Sequence, residues 1–313
     1  MKVAIIIDGG AGRVLSSTPA ILRYIRENPD HEVNTIVYGW TPLMYGIPEI
    51  QKNLYDMETA HLFTNVISKC DVVYKPEPYI LPSYFRQQVN IAEAFDELLN
   101  GRKQDDQVPV VPCFFSSKTE KLHAGSTVSD IRKTQGKDIT IVIQPFGQSA
   151  ETDFNGNVAD STVRSMSAEN YISLVQKLSQ TYNVIFFGEN TFHLPQDVYT
   201  YKIQNDLRGW ASIIEASDYF IGCDSVGQHM ARAVNVPGTV ILGSSFASNC
   251  TYTDYFNIIE KPGIEKHYSP IRISNMDSYI TNFLNEGAID FTEEEVDMIH
   301  SSICTHLEKC FNK

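Results

Sequence analysis

The residues best placed to do chemistry lie in the run Asp224-Ser225-Val226-Gly227-Gln228-His229. A carboxylate, a hydroxyl and an imidazole follow a buried apolar strand through Phe220 and Ile221, and a short helix continues through Met230-Ala231-Arg232-Ala233. Asp224 and Ser225 therefore stand where a strand ends and a helix begins. Both residue types cap helices by accepting a free first-turn N–H on a side-chain oxygen. A helix start also presents unpaired amides and partial positive charge, which suits an anion such as phosphate. The plainer reading is a capped helix with a core-facing histidine.

Other strand ends carry similar chemistry. Val3–Ile7 is a β-branched run of the kind found in central parallel strands, and it stops at Asp8-Gly9-Gly10-Ala11-Gly12. Glycines there allow a tight turn and close approach of a ligand. The loop lacks the full G-x-G-x-x-G spacing of dinucleotide sites. Ile139–Ile143 leads into Gly147, Gln148 and Ser149. Val184–Phe187 leads into Gly188 and Glu189, whose carboxylate is placed to accept from ribose hydroxyls.

Positioning these loops requires two β/α units. In the first, Val3–Ile7 is followed by a helix to about Arg26, a break at Asn28-Pro29-Asp30 and a strand over Glu32–Val37. Beyond it the pattern predicts helix over Thr59–Ser68, strand over Cys70–Tyr74, an amphipathic helix over Val89–Leu99 and strand over Val108–Phe115. The polar run Thr134–Asp138 marks the expected boundary. The β/α rhythm then restarts, with helices over Ala168–Gln180 and Leu207–Ser217 and a strand over Thr239–Leu242. Thr292-Glu293-Glu294-Glu295 opens a last helix with a capping-box pattern. The expected organisation is a domain over 1–136, a second over 137–275 and a helical segment over 276–313.

Composition narrows the function classes. The chain has 313 residues, 42% of them hydrophobic and 20% charged, which suits an ordered two-domain protein. Its formal net charge of -13 argues against a broad nucleic-acid or anionic-membrane surface. Six cysteines fall without C-x-x-C spacing, so reduced thiols and a cytoplasmic setting are expected. No run approaches a membrane span.

The order of these motifs resembles glycosyltransferase family 9, which includes the ADP-heptose:lipopolysaccharide heptosyltransferases. The matching stretches are Gly12-Arg13-Val14-Leu15-Ser16-Ser17-Thr18-Pro19-Ala20-Ile21, Ile143-Gln144-Pro145-Phe146-Gly147-Gln148-Ser149, Phe186-Phe187-Gly188-Glu189, and Asp224-Ser225-x-x-x-His229 with Pro237 and Val240–Gly243. The resemblance spans most of the chain and is best over about 139–245. It implies an α/β fold of the GT-B type: two Rossmann-like, doubly wound domains facing across a cleft, with a C-terminal helix. It also implies a heptosyltransferase-like enzyme moving a sugar from a nucleotide-diphosphate sugar to a hydroxyl of a glycan or lipopolysaccharide-like acceptor. Donor contacts are expected from Gly147, Gln148, Ser149, Arg164, Glu189, Asp224, Ser225, Val226 and His229. Arg164 stands about where the family has a phosphate-contacting base.

Two departures bear on mechanism. Val226-Gly227 replaces the family's Gly-Pro pair, and Arg13 replaces the acidic residue taken as its general base. Asp8, at the end of the first strand, is the leading candidate for that base, with Asp153 behind it, and Arg13 is a candidate to stabilise the departing diphosphate. No D-x-D occurs, so no metal and no cofactor beyond the donor are expected. The 153–164 run lacks the glycine and glutamate of a calcium loop, and no histidines have zinc spacing. Three alternatives stay open: a phage-type transferase acting on a modified DNA base, which calls for a basic groove beside Arg13, Arg86 and Arg132, a catalytically silent nucleotide-sugar binder, and a nucleotide-sugar epimerase on the same fold.

Overall fold

The computed structural model describes residues 1–101, 109–147, 150–152, 158–160, 163–188, 194–202, 206–266 and 287–311. In the first half, β1 (Lys2–Ile7), β2 (Glu32–Val37), β3 (Leu54–Asp56) and β4 (Val72–Tyr74) form a parallel sheet in the order β3-β2-β1-β4. Helices α1 (Ala11–Glu27), α2 (Pro48–Gln51), α3 (Leu62–Asn65), α4 (Pro82–Phe85) and α5 (Ile91–Asn100) accompany it, and α6 (Lys118–Gln135) follows. In the second half, β5 (Thr140–Gln144), β8 (Asn183–Phe187), β9 (Tyr199–Tyr201), β10 (Tyr219–Gly222), β11 (Gly238–Leu242) and β12 (Asn257–Glu260) form a parallel sheet in the order β12-β11-β10-β5-β8-β9. Strands β6 (Ala150–Thr152) and β7 (Val158–Asp160) make a separate antiparallel pair. The helices here are α7 (Ala168–Leu178), α8 (Leu207–Ala216), α9 (Val226–Ala233), α10 (Ala247–Cys250) and α11 (Glu293–Phe311).

Strands β5, β8, β10 and β11 are buried along their whole length, as their unbroken apolar runs require of a sheet covered on both faces. In both sheets the chain winds outward one way and then returns to the other side of its starting strand. The reversals lie between β1 and β4 and between β5 and β10. Crevices form at such points outside the carboxyl ends of the strands.

Helix α1 joins the two halves and contains Pro19. Proline cannot donate to the carbonyl four residues back. The Thr18 hydroxyl donates to that Leu15 carbonyl at 2.7 Å and accepts from the Cys113 amide at 2.8 Å. Through Cys113 it also holds the connecting segment 109–117.

That segment is not a strand over its described residues 109–115, contrary to expectation. Its apolar residues serve contacts instead: buried Phe114 lies under the Arg208 guanidinium at 4.8 Å. The expected helix over Thr59–Ser68 is broken, because His61 is left-handed and Val66 leaves helical geometry. Helix α6 precedes the expected boundary near 136 yet packs against α8 of the second half. Helix α11 begins with the expected box: Thr292 and Glu295 exchange backbone-to-side-chain bonds, and Val296, Ile299, Ile303 and Leu307 are buried. All six cysteines are free thiols. Among the described residues no helix is long and apolar enough to cross a membrane.

Candidate functional site

The two halves meet where α1 and α9 face each other. A methyl group on Gly12 would lie 2.8 Å from His229 Cδ2 and 3.7 Å from the Val226 Cα, so only glycine permits this approach. Beside the contact is a cavity of about 480 Å³. Gly10–Arg13 and Tyr84 line it from the first half; Gly147, Arg164, Asp224, Ser225, Val226 and His229 line it from the second.

At the β5/β10 reversal, Gly147, Arg164 and Ser225 converge. A Cβ on Gly147 would stand 3.3 Å from Ser225 Oγ and 3.5 Å from an Arg164 guanidinium nitrogen. Arg164 Nη1 donates to the Asp224 carbonyl at 3.3 Å. Arg164 is set by its neighbour Val163, a β-branched residue with φ of 52°. Such a conformation costs on the order of 1–3 kcal/mol and needs support. The support is Ser244, whose amide and hydroxyl both donate to the Val163 carbonyl at 2.8 and 2.9 Å.

The helix start differs from the expected capping. Ser225 occupies the cap position of α9 but makes no side-chain cap bond. Asp224 does not cap either: its Oδ2 accepts from Ser245 Oγ at 2.5 Å and its Oδ1 from Gln228 Nε2 at 3.4 Å. The cap is Gln144, the last residue of β5. Its Oε1 accepts from the Gly227 amide at 2.8 Å, and its Nε2 donates to Ser225 Oγ at 3.0 Å and to the Phe146 carbonyl at 3.1 Å. A Cβ on Gly227 would lie 2.0 Å from Gln144 Oε1. The Val226-Gly227 departure thus has a cause: this glycine admits a side chain from the neighbouring strand. Gln144 was missed in the sequence; its one signal is an amide that ends the apolar run Ile141–Ile143.

His229 is buried, and desolvation pushes its pKa down to about 4, so the ring is neutral near pH 7. Its Nδ1 is 2.9 Å from the Tyr252 hydroxyl and 3.2 Å from Ser16 Oγ. Burial pushes the Tyr252 hydroxyl pKa up, which keeps it a donor. With Nδ1 accepting, the ring proton sits on Nε2, beside Gly12.

At the β1/β4 reversal the chemistry is closed on itself. Buried Arg13 donates to Glu77 Oε1 at 2.8 Å, to Glu77 Oε2 at 3.2 Å and to the Pro76 carbonyl at 3.2 Å. It also pairs with Asp8 Oδ1 at 3.2 Å, while Lys75 takes Asp8 Oδ2 at 2.9 Å. Burial opposes the Arg13 charge, but the Glu77 bond, followed by Tyr79, Glu77 and Asp8, raises its pKa. Arg13 lines the cavity; Asp8 stands behind it and does not. The carboxylate opposite Arg13 comes from Glu77, which the sequence did not single out.

The arginines proposed for a basic groove are dispersed. Arg13 is enclosed at the carboxyl end of β1. Arg132 pairs with Asp218 at 2.5 Å and donates to Thr140, at the opposite end of the second sheet. Arg86 is exposed beside Phe85. Among the described residues, no cluster of three or more His, Cys, Asp or Glu side chains could hold a metal ion. The expected donor residues Gln148, Ser149 and Glu189, and Asp153, lie outside the described residues.

Solved structures resemble this architecture over nearly the whole chain. The Escherichia coli ADP-heptose lipopolysaccharide heptosyltransferase II superposes with a TM-score of 0.66 at 15% identity, covering 98% of this chain and 99% of that one. A glycosyltransferase family 9 protein from Veillonella parvula gives 0.65 at 13% identity, covering 98% and 96%. This chain has the GT-B fold. A third GT-B neighbour, the dodecameric iron-containing heptosyltransferase TibC of enterotoxigenic E. coli in complex with ADP-D-β-D-heptose, gives 0.58 at 12% identity, covering 99% and 76%. No protein-family model and no curated protein sequence matches the chain. In GT-B terms, the cavity lies in the cleft between the two Rossmann-like halves.

Proposed function

We propose that the protein is a glycosyltransferase that binds a nucleotide-diphosphate sugar in this cleft and transfers the sugar to an acceptor hydroxyl. The observation that carries the reading is the meeting of Gly147, Arg164, Ser225 and the His229 Nε2 edge at the β5/β10 reversal, opposite the glycines that open α1. The GT-B resemblance to heptosyltransferases supports it, as does the ADP-heptose complex of TibC. The diphosphate lies against Gly147 and the start of α9, with Arg164 supplying positive charge and neutral His229 an N–H donor. Val226 borders the same space, and Asp224 braces the turn through Ser245 and Gln228.

In the reaction, the acceptor oxygen forms a bond to the anomeric carbon as the bond from that carbon to the diphosphate oxygen breaks. The bonding pair leaves with the nucleoside diphosphate, whose growing charge is met by Arg164 and the helix amides instead of a metal. The candidate bases for the acceptor proton are Asp8 and Glu77, which stand behind Arg13 and must exchange its ion pair to reach the cavity. Asp8 is the more open of the two, with 28% side-chain exposure against 17% for Glu77. A general base must reach the proton it removes. Arg13 holds both carboxylates in place. The glycan hydroxyl expected from the resemblance is the acceptor in this reading; Arg13, Arg86 and Arg132, beside which a DNA acceptor called for a groove, are dispersed.

Ion pairing of both Asp8 oxygens favours one other reading, a nucleotide-sugar binder without transfer. The deciding experiment is thermal denaturation with ADP, UDP and GDP and their sugars, followed by donor turnover with and without EDTA. Binding raises the melting temperature by mass action. A shift with EDTA-insensitive turnover supports the transferase, and a shift without turnover supports the binder. No shift with any nucleotide sinks both. Asp8→Asn is expected to keep the shift and lose turnover; retained turnover removes Asp8 as the base.

A further inference from the structure

The aromatic side chains that the first half sends into the cleft stand on opposite sides of β1. Tyr79 and Tyr84 follow β4, and Trp40 follows β2. The tyrosines belong to the carboxylate corner. The Arg13 guanidinium lies 5.2 Å over the Tyr79 ring, and Tyr84 meets Tyr79 edge-on at 5.7 Å. In the second half, Asn249 of α10, which follows β11, donates to the Tyr84 carbonyl at 2.5 Å. That end of the cleft is therefore the β4/β11 end.

Trp40 marks the other end. It is half-buried, and among the described residues no aromatic ring pairs with its indole. Its place is fixed from both halves. Gly39, with φ of 86°, turns the chain into it. Its carbonyl accepts from the Leu43 amide at 3.0 Å, and the next hydroxyl, of Thr41, donates to Asp56 at 2.6 Å. From the second half, Arg208 donates to the carbonyls of Pro42 and Tyr45 at 2.8 and 3.1 Å. The neighbour of Arg208 is Leu207, the first residue of α8, half-buried and lining the same cavity. Trp40 and Leu207 thus meet at one end of the cleft. The first turn of α8 stands over the carboxyl end of β8, where Trp210 packs on Phe187 at 4.3 Å between ring centroids. Strand β8 lies beside β5, and neighbouring strands are about 4.8 Å apart. The Trp40–Leu207 end is therefore close to the Gly147–Arg164–Ser225 corner and on the side away from the carboxylates.

A diphosphate at that corner gives the donor a direction. Its sugar has to meet the acceptor and a base, and the carboxylates are at the β4/β11 end. Its nucleoside then runs the other way, toward β8. There a base finds an aromatic face on one side and an aliphatic one on the other, which suits a flat π-system in an apolar slot. We infer, resting on the glycosyltransferase reading above, that Trp40 of the first half stacks on the donor's nucleobase and holds it against Leu207 of the second half. Donor binding then draws on both halves of the molecule.

Trp40 and Trp210 are the chain's two tryptophans, so emission reads the contact directly. Titration of the full chain with ADP, UDP and GDP should quench it with at least one nucleotide. Trp40→Phe should lose most of that quench, because Trp210 is buried against Phe187, and keep the Kd within about threefold. Trp40→Ala should raise the Kd about fivefold or more by calorimetry. Inorganic pyrophosphate, which has no base, should bind the folded Trp40→Ala chain as it binds the wild type. Trp40→Phe keeps a ring in place and reports even where Trp40→Ala fails to fold. Nucleotide binding without a quench, or with an unchanged Kd in Trp40→Ala, overturns the inference and leaves the transferase reading standing. So does a folded Trp40→Ala chain that loses pyrophosphate as well, or one in which only the acceptor KM rises. No binding of any nucleotide removes the nucleotide cleft, and this inference with it.

Discussion

The two sheets reverse their winding in the same way, yet the two reversal points are built oppositely. Between β1 and β4, the crevice is filled by the protein's own charges: Arg13 lies between Glu77 and Asp8, and Lys75 takes the second Asp8 oxygen. Between β5 and β10, a neutral amide, Gln144, organises the helix start, and glycine, hydroxyl and arginine side chains border open space. Equivalent topology therefore does not imply equivalent chemistry at the crevice.

Arg13→Met tests the closed point most severely. It leaves Glu77 and Asp8 without their shared cation, and breaking a buried pair costs about 3–5 kcal/mol. Urea unfolding should show a loss of that size, with partial recovery in Arg13→Met/Glu77→Gln. Little loss would mean that the cluster is held for chemistry rather than for stability.

His229 tests the contact between the two points. Its folded pKa, about 4, lies below the ordinary 6.5. The unfolded chain therefore binds more protons between those values, and stability falls as pH drops from about 6.5 to about 4, with no further loss from this group below that. The shift corresponds to about 3 kcal/mol at most. His229→Gln should flatten that part of the stability profile; an unchanged profile would place the acid sensitivity elsewhere.

Gly227→Ala tests the open point. The added methyl meets Gln144 Oε1 and the Phe220 ring. Overpacking of this kind costs about 1–3 kcal/mol, and the nucleotide-dependent melting shift should disappear with it. Retention of the full shift would show that Gln144 does not shape the donor site. The smallest effect is expected at Gly10, the cap residue of α1, which has no side-chain cap bond and space around it. Gly10→Ser should stabilise by only a few tenths of a kcal/mol, visible as a slight rise in melting temperature.

Much of this architecture was legible because apolar runs and turn residues are local signals. The Val3–Ile7 run, the glycines after Asp8, and the strand–turn–helix at Asp224 all fold as their patterns indicate. The site's detail was not legible, because it depends on register between distant strands. Gln144 caps α9 only because β5 lies beside β10, with Gln144 opposite Gly222. Glu77 meets Arg13 only because β4 returns to the far side of β1. The apolar residues of 109–115 suggested a strand because a segment that packs on both halves carries a similar composition. Only the location of Thr18 and Arg208 shows what they contact.

Arg208 donates to Glu120 on α6 and to the carbonyls of Pro42, Tyr45 and Phe115. It ties the halves by hydrogen bonds, whereas Gly12 sets their separation beside the cavity. There the gauge is a missing methyl group. The backbone of α1 already rests on the His229 ring. A larger residue at position 12 would push the halves apart or displace that ring, so the width of the contact is set by a residue that has no side chain.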